Sequence, residues 1–191
     1  MLGGREEHDV SRAFVKEPDG DETAGELPEL PLSPHPNYVT PAGLEALERR
    51  RAVLEAEQAA LVGQGEGDSF AAKPARARVA RELRYLEARI GAAIPVDPAG
   101  QPADRVAFGA LIRVEDEDGR QRAFRIVGED EADPSRGDIN IDSPLARVLL
   151  KKAIGDEVRI NSQKPDATAI IDRIEYDLSD TANRDPPIGT R

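Results

Sequence analysis

Two carboxylates, Glu66 and Asp68, stand two residues apart in the stretch GQGEGDSFAAKP, Gly63 to Pro74. Acids so placed offer oxygen ligands to a hard divalent cation such as magnesium. The three glycines and closing proline make the stretch a turn, and ordering such a turn costs entropy. Two merely solvated acids therefore remain an open alternative to a ligand pair. With no cysteine and only two histidines in 191 residues, disulfides and cysteine-built zinc sites are excluded and little is left for another transition metal. No residue is assigned a catalytic role and no metal site of the chain's own is predicted.

A second chemistry-bearing group follows the turn. Arg76, Arg78, Arg81, Arg84 and Arg89 fall within fourteen residues that hold two acids, Glu82 and Glu87. The whole chain has net charge -11, but residues 40–94 carry nine basic and eight acidic side chains. Residues 1–36 carry three and nine, and residues 95–178 carry twelve and eighteen. A polyanion would therefore meet this chain only at its middle. The alternative is a solvated helix face neutralised by neighbours, for instance Arg78 with Glu82 four residues on.

Both groups need elements to hold them. In YVTPAGLEALERRRAVLEAEQAALV, Thr40 suits an N-cap and Pro41 a first helical position. Leu44, Leu47, Arg51, Leu54, Gln58 and Leu61 then step by three and four, as do Val79, Leu83, Leu86, Ile90 and Ala93 after Pro74. Two such helices joined by a loop near ten residues must run antiparallel, with 63–73 as the tip. The spacing predicts a helical hairpin over 38–94 and a linker over 95–104. Residues 105–178 form an α+β domain of antiparallel strands with one helix. Val106, Phe108, Ala110, Ile112 and Val114 alternate as a strand, and an Asp-Gly turn leads to Phe124 and Ile126. DSPLARVLLKKAIGD reads as a helix capped by Ser143 and ended by Gly155, and EVRINS and ATAIIDRIEY as strands. Residues 1–36 are an acidic tail expected to be disordered, and 179–191 a flexible tail. No apolar run approaches the roughly 20 residues that span a bilayer, and MLGGREEHDV lacks a leader's features. The expectation is a cytoplasmic protein with no membrane partner.

The ordered series YVTPAGLEAL, VAFGALIRVEDEDG, FRIVGEDEAD, INIDSPLARVLLKKAIGDEV and IDRIEY resembles the GreA/GreB family of bacterial transcript-cleavage factors, the C-terminal stretches GreB in particular. The resemblance implies a coiled coil entering the secondary channel of RNA polymerase and an FKBP-like C-terminal domain docking on the channel rim. It implies docking residues Asp142, Ser143, Pro144 and Arg147. It further implies a basic face, Arg76, Arg78, Arg81 and Arg84, turned to the nascent RNA 3′ end. The chain would act as a monomer with no cofactor of its own, any magnesium being shared with the polymerase active site.

The family's tip pattern is Gly-Asp-x-x-Glu-Asn, two acids that help hold a catalytic magnesium. Here Gly67-Asp68 matches its first half, but Ala71 occupies the second acid's place. Counting back from YLEARI puts the pair at Ser69 and Ala72 instead, and neither register supplies two acids. Both arms also look about a heptad short, which would set the tip back by about 10 Å. The expected function is thus channel binding and regulation of elongation with weak or no transcript cleavage. Two alternatives stay open: an active cleavage factor using Glu66 and Asp68, and a protein like the nucleoside diphosphate kinase regulators, whose hairpin is shortened.

Overall fold

The structure, a computed structural model, describes residues 27–63, 72–160 and 168–176. Strand β1 (Asn37–Val39) leads into helix α1 (Pro41–Gly63), and α2 (Lys73–Gly91) returns to strand β2 (Ala93–Pro95). Thr40 caps α1 as its sequence position requires: its Oγ1 accepts from the Gly43 N–H at 2.9 Å. The hairpin seam is Leu47 and Leu54 against Val79, Leu83 and Leu86, with Val39 closing the base. The heptad spacing predicts all five seam residues. Of the polar residues at heptad positions, Arg51 is half-buried and Gln58 exposed; Arg51 pairs with Glu55 at 3.5 Å.

β1 and β2 pair in parallel, Asn37 opposite Ala93 and Val39 opposite Pro95. The Val96 N–H continues the ladder to the Val39 carbonyl at 2.9 Å. This pair ties the segment before α1 to the segment after α2, so both ends of the hairpin are fixed at its base. Leu27–Pro36, read from composition as tail, also has a described path with contacts to the rest of the chain.

The second unit is a five-stranded sheet in the order β5-β4-β3-β7-β6. Its strands are β3 (Leu111–Asp116), β4 (Gln121–Val127), β5 (Asp138–Asn140), β6 (Glu157–Arg159) and β7 (Thr168–Glu175), with helix α3 (Pro144–Leu149) between β5 and β6. The Asp-Gly turn is present: Gly119 has φ +74, and its N–H donates to the Asp116 carbonyl at 2.9 Å. β3 pairs antiparallel with β4 and β7, and β6 with β7, but β5 runs parallel to β4. The sheet is therefore mixed rather than wholly antiparallel. The excursion through Glu129–Arg136 brings the chain back beside β4 in the same direction.

Two further expectations change. The alternating residues Val106, Phe108 and Ala110 are buried in the sheet core, yet the strand starts only at Leu111. Gly109 interrupts it with φ +84, and a Cβ there would fall 2.6 Å from the Pro98 ring. Helix α3 stops at Leu149 instead of running on to Gly155. Lys151 takes φ +67, and its N–H donates to the Val106 carbonyl while Val106 N–H donates to Lys152, both at 2.8 Å. Backbone pairing with residue 106 thus outcompetes another helical turn. No helix among the described residues is long and apolar enough to cross a membrane.

Candidate functional site

On the hairpin Arg76, Arg78 and Arg84 each find a partner outside their own helix. Arg78 lies between Glu82, at 2.9 Å, and Glu57 of α1. Arg50 of α1 reaches the other oxygen of Glu82 at 2.8 Å, making a ladder of alternating charge across the two arms. Burial pushes the Glu82 carboxyl up, but hydrogen bonds from Arg50 and Arg78 outweigh it and hold the group below its ordinary value. Arg76 donates to the Leu61 carbonyl at 2.9 Å, and Arg84 pairs with Glu29. Arg81 is half-buried, its Nε without a hydrogen-bond partner among the described residues. Counting acids on α2 alone missed Glu57 and Glu29. Glu66 and Asp68, like Ala71, lie outside the described residues.

At the sheet end, Asp142, Ser143, Pro144 and Arg147 form one corner. Ser143 Oγ accepts from the Ala146 N–H at 3.1 Å, capping α3. The Asp142 N–H donates to Asn140 Oδ1 at 2.9 Å, and the Asp142 carboxylate stands 3.9 Å from His35 Nδ1. These contacts fix the turn so that Pro144 and Arg147 face outward. Beside them runs a groove of about 740 Å³ walled by Ala132, Pro134, Ile139, Leu145, Val148 and Ile160. Val148 is 39% exposed, an apolar side chain left in water at the groove edge.

The hairpin base and the sheet are joined by a polar lock that composition gave no reason to expect. Arg89, only 3% exposed, donates from Nε to Asp130 at 2.7 Å and from Nη2 to Asn37 Oδ1 at 2.7 Å. Glu129 lies 3.3 Å from the same Nη2. Asn37 returns a bond to the Arg89 carbonyl at 2.7 Å. The neighbouring Glu131 carboxylate accepts from the Thr40 N–H at 2.9 Å, from the Thr40 hydroxyl and from the Gly128 N–H. Two glycines make room for it: a Cβ on Gly43 would sit 2.1 Å from Glu131, and one on Gly128 would sit 2.2 Å from the Tyr38 carbonyl. Sequence reading placed Arg89 in the basic stripe. Its spacing of three from Leu86 and the Gly-Glu-Asp-Glu run at 128–131 were the signals available.

Tyr85 completes the lock by donating its hydroxyl to Asp130 at 2.8 Å. Burial first, and the Asp130 carboxylate second, push the Tyr85 hydroxyl up to about 12. A raised folded value means that this group's stabilisation is intact below the ordinary tyrosine range and is lost as pH climbs from about 10 toward 12. Tyr85→Phe should cost about 1 kcal/mol at pH 8, and the gap to wild type should close as the pH passes 11. Urea midpoints at the two pH values measure this; a gap that stays constant would refute it.

Among the described residues, no three His, Asp or Glu side chains are placed to hold a metal ion. What the arrangement offers is a rigid arm, an apolar groove beside a capped corner, and a buried joint that fixes one relative to the other.

Comparison with known proteins gives this arrangement a family. The model for the C-terminal part of the transcription elongation factors GreA/GreB matches residues 101–176, the sheet unit with its corner. GreB of Yersinia pestis is 36% identical over 152 residues, 73% of this chain and 89% of that protein. GreB of Neisseria meningitidis serogroup B is 37% identical over 155 residues, covering 73% and 94%. A solved GreA/GreB factor from Nitrosomonas europaea aligns over 73% of this chain and 99% of its own at 22% identity, with a TM-score of 0.37. With more than a third of positions shared across nine-tenths of those GreB relatives, the chain belongs to the GreA/GreB family of transcription elongation factors and is GreB-like within it.

Proposed function

We propose that this chain binds bacterial RNA polymerase as a monomer and regulates elongation, with little or no transcript cleavage of its own making. The corner at Asp142, Ser143, Pro144 and Arg147, with the groove beside it, docks on the rim of the secondary channel. The lock at Arg89 then directs the hairpin into the channel, where Arg76, Arg78, Arg81 and Arg84 meet the nascent RNA 3′ end. An RNA phosphate reaching Arg78 or Arg84 must compete with Glu57 and Glu82 or with Glu29. The chain is a regulatory factor rather than an enzyme. Any bond breaking in the transcript belongs to the polymerase active site and its magnesium.

The observation that carries polymerase binding is the alignment with elongation factor GreB over 89% of that protein. The reading of weak cleavage rests on Ala71 where the family pattern has its second acid; two-metal hydrolysis needs both ions anchored. A second reading, active cleavage through Glu66 and Asp68, is carried by those two acids standing two residues apart in the tip stretch. Purified full chain should co-elute with core RNA polymerase and alter the rate of run-off synthesis. Absence of both effects would refute the proposal and favour the class of nucleoside diphosphate kinase regulators.

A further inference from the structure

Strand β7 turns Ala169 and Ile171 into the sheet core, while Ile170 between them is 54% exposed. The register sets Ile170 opposite Glu115 of β3 on one side and Glu157 of β6 on the other. Residues paired directly across strands stand about 5 Å apart, so an apolar side chain left in water has a carboxylate on each flank. Farther along, the pairing with β3 slips between Arg113 and Val114. The extra residue that β7 carries there is Asp172, and the bulge re-aims its exposed side chain. Ile154, 56% exposed in the turn before β6, lies against the same groove of about 620 Å³, as do Asp172 and Glu117.

Elsewhere in the chain acids find arginines, as Glu57, Glu82 and Asp130 do. Here they do not. Among the described residues no lysine or arginine lines the groove. Glu115 and Glu117 accept only from neutral groups, the Gln121 amide and the Thr168 hydroxyl, each at 3.1 Å. Glu157 and Asp172 have no hydrogen-bond or ion-pair partner among the described residues. Nor do three of these carboxylates gather where a metal ion could sit. They are spread along the groove, an arrangement that suits several separate cations rather than one.

We infer that this groove docks an extended segment of another protein whose apolar side chains are bracketed by lysines or arginines. Apolar side chains of the segment cover Ile154 and Ile170, which are otherwise left in water. Glu115 and Glu157 stand two strand spacings apart, about 10 Å, a span that about three extended residues cover. Cations three positions apart, with apolar residues between them, therefore meet both acids while the apolar residues meet Ile170. Complementary charge of this kind sets register and selects the partner. No residue lines both this groove and the one beside α3, so the assignment is independent of where polymerase docks.

The test titrates the full chain at low salt with a fluorescent peptide, Lys-Ile-Leu-Lys-Ile-Leu-Lys. Three full-length variants are compared with wild type: Glu115→Gln/Glu157→Gln/Asp172→Asn, Ile154→Ser/Ile170→Thr, and a control, Glu48→Gln/Glu87→Gln/Asp104→Asn, that removes three exposed acids elsewhere. Wild type should bind, the two groove variants at least about tenfold more weakly, and the control within about twofold of wild type. Glycine in place of the peptide's apolar residues should also weaken binding by about tenfold. Equal weakening by the groove and control acid variants would show only attraction to an acidic chain and would overturn the inference. Equal binding of the glycine peptide, or no binding by wild type, would overturn it too. Sedimentation in which wild type self-associates and Ile154→Ser/Ile170→Thr does not would assign the groove to a second copy instead.

Discussion

Arg89→Ala is expected to lower the melting temperature of the full chain by on the order of 10 °C. The Arg89 guanidinium is buried, donating to Asp130 and Asn37 at 2.7 Å each. Removing it strands the Asp130 carboxylate, whose side chain is 12% exposed, and takes away the partner of the Asn37 amide oxygen. Breaking a buried ion pair from one side costs about 3–5 kcal/mol, and in a chain of this size each kcal/mol shifts the midpoint by about 2–4 °C. Arg84→Ala is the internal control, since its pair with Glu29 is half exposed and contributes about 0–1 kcal/mol. Arg89→Lys should fall between, keeping the charge but losing the planar fork that serves Asp130 and Asn37 together. Calorimetry on the three variants decides it, and equal melting of Arg89→Ala and Arg84→Ala would remove the lock from the account.

Arg89 also marks the boundary of what the sequence could disclose. The hairpin was readable because its determinants are local: Thr40 and Pro41 start α1, and the steps from Val79 through Leu83 to Leu86 place the seam on one face. The β3–β4 turn was readable for the same reason, from Asp118-Gly119. What was missed depends on partners distant in the chain. β1 and β2 are three residues each, too short for a period, and each exists because the other lies beside it. The alternation at Val106, Phe108 and Ala110 reported burial correctly but not strand geometry, because irregular backbone pinned between Pro98 and Lys152 buries the same side chains.

The candidate site divides in the same way. Ser143 was legible as a cap, whereas the grouping of Asp142, Ser143, Pro144 and Arg147 as a docking corner came only from the family resemblance. The groove beside the corner was not legible, because Ala132, Ile139, Val148 and Ile160 reach it from four separate segments. On α2 the arginines were visible, but the acids that pair with them come from Glu57 and Glu29, 21 and 55 residues away in sequence.

The second large effect is expected at the hairpin tip. In stalled, backtracked complexes carrying labelled RNA, wild type should cleave no faster than polymerase alone, whereas Ala71→Glu should raise cleavage by about tenfold or more. Asp68 provides one carboxylate, and a second acid three positions on, the spacing at which helical side chains meet, adds a further oxygen ligand to a weakly held ion. Because the alternative register points to Ser69 and Ala72, a Ser69→Asp/Ala72→Glu variant belongs in the same assay. Robust cleavage by wild type that disappears in Glu66→Ala/Asp68→Ala would instead establish the active-factor reading.

The central claim is that the corner and groove at α3 carry the docking on polymerase, and equilibrium binding of the full chain to core RNA polymerase tests it most directly when wild type is compared with Val148→Glu. Val148 lines the groove and is 39% exposed, so a carboxylate there is tolerated in the free chain and its melting should not change. In a docked complex the same carboxylate would be taken from water into an apolar contact, at a cost above about 1.4 kcal/mol, or tenfold in affinity. The account predicts measurable binding by wild type and at least about tenfold weaker binding by Val148→Glu. Equal affinities for the two chains would contradict it.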